Sequence, residues 1–302
     1  MSKTRLLLII ITLLILSVGF SATAAAQSAP DDPNLQAILQ AFSIARREGY
    51  HFTTKALTTN TYTAADGTAQ SQYIGLDQEG DAAANGDNQQ TTKITVGVTL
   101  EALKAFTPVT LLSVAFGDYL YIYLDPDDQW SVGVLNVKPG WWVFDDFKAQ
   151  IADPSARFIV DGVISSGAPA DTVENGTNLL RVDANGTERV DNRDMRDYTL
   201  WDNVLWGVLN SLPGTGSAHF ANVLKYAPLF LSSNLSLSLQ LQIGADDGRL
   251  YDMLMDSRRG VPYLAAHIAD YNTENDSTGD TTFTYPFKPI VITPPDNSLL
   301  NH

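Results

Sequence analysis

Residues 235–243, LSLSLQLQI, alternate without exception. Leu235, Leu237, Leu239, Leu241 and Ile243 take every second position, with Ser236, Ser238, Gln240 and Gln242 between them. Successive side chains of an extended strand point to opposite faces, so this stretch has one apolar face and one polar face. A helix would scatter the same residues around its circumference. One-sided strands belong to antiparallel sheets with a core on one face. The flanking sequence agrees, because ADDG turns the chain and RLYDMLMDS runs back beside it.

The rest of the chain reads mostly the same way. A helix comes first. Asp32 caps it, Pro33 suits its first position, and Leu35, Ile38, Leu39 and Phe42 form one stripe. Arg46 and Arg47 sit at its negative end, and Gly49 ends it. HFTTKALTTNTYT is Thr-rich and β-prone, AADG is a turn, SQYIGLDQ is a second run and TTKITVGVTL a third, with the polar GDAAANGDNQQ between these two. A short helix spans Leu100 to Phe106. GDYLYIYLDPDDQWSVG, residues 117–133, reads as a hairpin broken at its Pro and Asp residues. WWVFDDFKAQI reads as a helix from Trp141 to near Pro154, with Asp145 and Asp146 as N-terminal acids. Strands return over 158–200, with ANG at a hairpin turn. Trp201, Val204, Leu205, Val208 and Leu209 share a helical face, and HFANVLKYAPLFL continues the helical interlude. Near the end, TENDSTGD reads as a polar loop, TTFTYPF as a strand and KPIVITPPDNS as a last strand stopped by prolines.

The N-terminus is a separate matter. Lys3 and Arg5 precede the apolar run Leu6–Phe20, and SATAAAQS follows. This is the pattern of a signal peptide cut after Ala26, and the run is short against the about 20 residues a membrane helix needs. Residues 1–26 are therefore expected to be removed and 27–32 to form a linker. Residues 33–296 form one domain and 297–302 a tail. The mature chain has 17 Lys+Arg against 34 Asp+Glu, a net charge of −17. That charge argues against nucleic acid and against more than peripheral or transient contact with anionic membranes. Its plain consequence is solubility. There is no Cys, so disulfides, thiolate metal sites, a Cys nucleophile and a lipidated Cys anchor are all excluded. Sequons at Asn175, Asn185, Asn234 and Asn275 matter only in a glycosylating host.

Catalytic patterns are missing. No Gly-x-Ser-x-Gly elbow occurs. Ser217 and His219 are two residues apart and cannot face each other on a helix. His51 and His267 lie in strand-like runs, His302 is terminal, and none stands at metal-ligand spacing. DYNTENDSTGD starts like a calcium loop at Asp270, Asn272 and Glu274. It then places Asn275 where Gly is needed and Thr281 where the bidentate Glu belongs. No enzyme activity, metal or cofactor is expected.

Five stretches resemble one family. They are LQAILQAFSIARREGYHFTTKA, GDYLYIYLDPDDQW, GTERVDNRDMRDYTL, LQLQIGADDGRLYDMLMDS and YPFKPIVITPP. Their order and spacing are similar to the LppX/LprG-like lipoproteins, whose fold is shared with the periplasmic lipoprotein carrier LolA. Two positions depart: Asn192 stands where Gly is usual and Gln242 where Trp is usual. The resemblance implies an α+β half-barrel, a curved antiparallel sheet wrapped around helices. It implies an apolar cavity for acyl chains and a role in moving lipids or lipoproteins across the cell envelope. Members tethered through a lipidated Cys differ from this chain, which has none.

Under that resemblance the cavity would be lined by Trp141, Trp142, Phe144, Trp201, Leu205, Phe220, Leu224, Tyr226 and Phe230, with the Leu face of β-strand residues Leu237, Leu239 and Leu241. The same side chains would equally serve a filled core, and the sequence leaves the two open. The expected partner is a lipid or other long apolar ligand. The alternative keeps the fold, fills the core, and makes the protein an envelope interaction or sensing module with a protein partner.

Overall fold

The computed structural model describes residues 32–64, 67–105, 108–125, 137–151, 180–202, 235–261 and 271–301. It opens with helix α1, Pro33–Glu48. Asp32 caps it by accepting a hydrogen bond from the Asn34 amide at 2.8 Å. Gly49 ends it at φ 73°, where a Cβ would stand 2.8 Å from the Ala82 carbonyl oxygen. Only glycine fits that close turn without strain.

Three strands follow: β1 Tyr50–Ala64, β2 Ala69–Ala82 and β3 Asn88–Gly97. Helix α2, Leu100–Ala105, leads to β4 Val109–Phe116, β5 Tyr119–Leu124, β6 Gly140–Val143 and helix α3 Phe144–Gln150. The second half has β7 Leu180–Val190, β8 Arg193–Asp202, β9 Leu235–Gly244, β10 Leu250–Val261 and β11 Tyr271–Thr284. All eleven strands join one sheet in the order β6-β5-β4-β3-β2-β1-β11-β10-β9-β8-β7. Every pairing between strands is antiparallel. β6 and β7 are the two ends and do not pair, so the sheet is open.

The sheet curls around α1. Ile38, Ala41, Phe42 and Ala45 of the helix share one buried cluster with Ala82, Phe52, Phe283, Met253, Leu241 and Leu200, and Val182 packs against it. Those residues come from seven neighbouring strands, β2 through β7 in sheet order. At about 4.8 Å per strand a flat sheet would spread them over roughly 29 Å, far wider than a helix of about 10–12 Å. Curvature brings them to one helix. A second cluster on the same concave face joins Ile94, Val109, Leu111, Ile122, Leu124 and Trp142 with Phe147 of α3 and Ile151. The expected half-barrel around helices is the architecture found.

Several local expectations change. Trp141, Trp142 and Val143 belong to β6, and the helix starts only at Phe144. Pairing of Tyr123 with Trp141 and Ile122 with Trp142 holds them extended. The partner of β5 in a tight hairpin is β4, through the turn at Gly117 and Asp118; residues 126–136, with the Asp-Pro break and Trp130, lie outside the described residues. ANG is not the turn between β7 and β8. Asn185 and Gly186 form a bulge in β7, with Gly186 at φ 112°. The turn is Asp191–Asn192, at φ 48° and 64°, the left-handed pair that a two-residue hairpin requires. Trp201, expected on a helix, pairs in β8 with Arg181 and Ser238.

The polar stretch TENDSTGD is not a loop but most of β11, paired with β1 on one side and β10 on the other. Its hydroxyls meet threonines of β1: Thr53 with Thr282 at 2.7 Å, Thr54 with Thr281 at 2.9 Å and Thr58 with Ser277 at 2.9 Å. The closing KPIVITPP is not a strand. It runs as an extended strap over the convex face, where Ile290, Ile292 and Leu300 pack with Val114, Tyr121, Trp141 and Val143. Its prolines remove the donors a ladder needs. The strap ends by covering the free edge of β6, with the Asn301 amide donating to the Trp141 carbonyl at 2.7 Å.

Candidate ligand site

β1 and β11 pair side by side over fourteen residue pairs, from His51–Thr284 to Ala64–Tyr271. On the concave face Phe52 meets Phe283 beneath the α1 cluster. Beyond them the next four concave rows are small or amidic: Thr54 with Thr281, Ala56 with Gly279, Thr58 with Ser277, Asn60 with Asn275; Tyr62 and Tyr271 then take the same face in the rows that follow. These four rows run roughly 20 Å at about 3.4 Å per residue. They form a trough of short side chains between taller neighbours, covered in this structure, with Asn60 at 0% and Thr281 at 3% exposure. At Gly279 a Cβ would find the Met255 terminal methyl at 3.4 Å and the Ala56 Cβ at 3.6 Å, so the floor is low at its centre.

The walls are larger. On the β2 side stand Gln78, Leu76, Ile74 and Gln72, in register with Thr54, Ala56, Thr58 and Asn60. On the β10 side Met253 and Met255 stand opposite Thr281 and Gly279. The trough lies between two helices, since α1 touches β10 and β7 while α3 touches β5 and β6. Among the described residues no other helix lies on this face, because α2 packs Leu103 against Gly75 and Gly97 on the convex side. The short side chains of β1 and β11 thus run as one low strip beside Leu76, Ile74 and Met255.

The predicted cavity residues are dispersed. Leu239 and Leu241 are buried in the α1 cluster. Trp142 is buried in the α3 cluster, its ring 6.5 Å from Phe147 and its Nε1 donating to the Lys138 carbonyl at 2.8 Å. Phe144 packs against that cluster and borders a surface depression of about 220 Å³. Trp141 stands on the opposite, convex face, its ring 5.3 Å from Tyr123. Leu237 is in phase with Leu239 and Leu241 on the concave face of β9, whereas Trp201 follows the concave Leu200 and pairs with Ser238, so the strand places it on the convex face, away from the predicted cavity. Leu205, Phe220, Leu224, Tyr226 and Phe230 lie outside the described residues.

Sequence reasoning missed the trough itself. Its signal was present as period-two alternation of small residues in TTKALTTN and NDSTGDTT. A larger cavity of about 510 Å³ opens elsewhere, where Arg46 and Arg47 of α1 approach the 82–86 turn. Beside the sheet end His51 Nδ1 lies 3.0 Å from Asp81 and its Nε2 3.7 Å from Glu79. Both carboxylates and the imidazole are on solvent-facing positions. Among the described residues no group of His, Asp and Glu is arranged to hold a metal, and no helix is long and apolar enough to cross a membrane.

No family model matches the chain, and no curated protein matches it. Solved structures do. The lipoprotein LppX of Mycobacterium tuberculosis is 14% identical over 87% of this chain and 100% of its own, with a TM-score of 0.36. LprF from Mycobacterium bovis is 15% identical over 87% and 98%, with a TM-score of 0.35. A LolA superfamily protein from Nitrosomonas europaea is 10% identical over 83% and 94%, with a TM-score of 0.19. The chain is similar to these proteins; its own strand order and packing make it an open antiparallel half-barrel.

Proposed function

We propose that the protein binds a lipid or another long apolar ligand along the concave trough and carries it without chemical change. The observation that carries this reading is the floor of small side chains on β1 and β11, lying between two helix-capped apolar clusters. Apolar burial supplies the affinity, at about 0.8 kcal/mol per CH₂ removed from water. The wall residues Leu76, Ile74 and Met255 make first contact, and Leu237 follows further along the same face of the sheet by register. Residues 1–26 direct the chain out of the cytoplasm and are cleaved near Ala26. The proteins it is similar to include two named as lipoproteins or of the LolA superfamily, which agrees with an extracytoplasmic carrier.

Native mass spectrometry tests the proposal on protein expressed from the full-length sequence and purified without detergent. An added mass of lipid size that solvent extraction removes is the expected result. A bare mass that stays bare after incubation with membrane lipids would overturn it. The fold would then serve as an interaction module, and fully exposed Phe287 on the strap would be the first contact to mutate.

A further inference from the structure

The cavity at the C-terminal end of α1 shares no residue with the β1–β11 strip. It holds about 510 Å³ of open space between the last turn of α1 and residues 82–86, the end of β2 and the turn after it. That volume lies within the roughly 300–1,000 Å³ of small-molecule sites. Arg46 and Arg47 line it, with Tyr50 of β1. No carboxylate does, in a chain whose Asp and Glu outnumber Lys and Arg by 34 to 19. The neighbouring acids are engaged elsewhere. Glu48 holds Arg249 at 2.8 Å and Asp81 holds His51 at 3.0 Å. Asp87 accepts from the Gly117 amide at 2.8 Å and from the Asn85 side chain at 2.7 Å.

A basic side chain at a helix C-terminus complements the dipole, which accounts for arginine here without a ligand. It does not account for the convergence. Consecutive helix positions point about 100° apart, yet both guanidinium groups border the same space, where they repel each other unless an anion joins them. Arg47 has no ion pair or hydrogen bond to any of the described residues. The turn across the cavity adds donors. Its own bonds are internal, from the Ala83 amide to the Asp87 carbonyl at 2.8 Å and from the Gly86 amide to the Ala83 carbonyl at 3.0 Å. They leave the Ala84 and Asn85 amides without a partner among the described residues. Two guanidinium groups and two amides suit an anion with three or more oxygens, and guanidinium binds phosphate through a bidentate fork. Tyr50, Ala82 and Ala83 are buried and supply an apolar wall for a carbon substituent. The net negative charge of the chain opposes such an anion weakly, since charges beyond about 8 Å are screened at physiological salt.

We infer that this cavity is a phosphate-ester site, with Arg46 and Arg47 holding the phosphate and Tyr50, Ala82 and Ala83 contacting its organic substituent. The site stands apart from lipid binding along β1 and β11. A soluble phosphate ester and a phospholipid headgroup present the same chemistry to it, and the choice of probes separates them.

The test titrates glycerol phosphate, oleoyl-lysophosphatidic acid and monooleoylglycerol by calorimetry into protein expressed from the full-length sequence, as wild type, Arg47→Gln and Ala84→Phe. Arg47→Gln removes one cation, and Ala84→Phe fills the cavity while keeping both arginines. Both positions are exposed, so the ligand-free variants should unfold at the wild-type urea concentration. Wild type is expected to bind a phosphate probe saturably, and each variant to bind it at least about tenfold more weakly, the factor a charge-assisted hydrogen bond is worth. Monooleoylglycerol, which lacks phosphate, should behave alike with all three proteins, whether or not the strip takes lipid. Binding of glycerol phosphate supports the site with a soluble ester as its ligand. Binding of the lysolipid alone, with the same losses in the variants, supports it with a phospholipid headgroup. No binding of either phosphate probe overturns the site and leaves the carrier reading standing. Undiminished binding by Arg47→Gln overturns it too, the arginine then serving only the helix end. Undiminished binding by Ala84→Phe puts the phosphate outside the cavity and also overturns it.

Discussion

Two residues show how single positions carry cost. Asn192 sits at φ 64° in the turn between β7 and β8, beside Asp191 at φ 48°. Asn tolerates that region and β-branched residues do not. Asn192→Val is expected to cost about 1–2 kcal/mol in urea unfolding, while Asn192→Gly leaves stability equal or slightly higher. Asp252 is the second. Burial, and then the negative charge of Asp280, push its carboxyl up to about 6 from 3.8. A folded-state value above the unfolded one means the native protein holds that proton more tightly. Its contribution therefore stabilises below about pH 4 and is lost as pH rises to about 6. The group is half exposed, so solvent screening reduces the loss to about 1 kcal/mol. Denaturation between pH 4 and 7.5 should show wild type losing this increment relative to Asp252→Asn.

At the scale of elements, α1 organises the sheet and β1–β11 hollows it. Phe42 is wholly buried at the centre of the α1 cluster. Phe42→Ala should cost about 3–5 kcal/mol, read as a lower urea midpoint with an unchanged slope. The trough responds differently. Gly279 has room for a Cβ at ordinary contact distance, so Gly279→Ala should fold normally. Gly279→Leu places a branched side chain in the middle of the floor. Its expected effect is at least tenfold weaker lipid binding with the β-sheet circular dichroism retained, and full binding by Gly279→Leu would show that ligand does not occupy the trough.

The whole molecule is closed by its last residues. The strap across β4–β6 shields Tyr121 and Trp141 and covers the β6 edge with Asn301. An uncovered edge presents unpaired backbone groups to other chains. Ile292 of the strap is buried against the convex face, and Ile292→Ala should cost about 2–3 kcal/mol. Removal of residues 290–302 should expose tryptophan to acrylamide quenching and raise self-association in sedimentation.

The sequence by itself determined the elements whose periodicity is local. The Leu face of β9, the capped helix from Pro33 to Glu48 and the short helix at Leu100 all follow from side-chain spacing and caps, which neighbouring residues alone can satisfy. It also determined the antiparallel character of the sheet and the absence of cysteine chemistry, while the curvature was implied only by the family resemblance and is set by the packing of seven strands on α1. The tertiary structure decided the rest. TENDSTGD becomes a central strand because β1 and β10 supply partners for its backbone on both sides, information that lies more than two hundred residues away for β1. WWV is a strand because β5 pairs with it, and KPIVITPP is a strap because prolines deny it the same pairing. The trough belongs to this second kind. Small residues on two distant strands mean nothing singly, and only register sets Thr54, Ala56, Thr58 and Asn60 against Thr281, Gly279, Ser277 and Asn275.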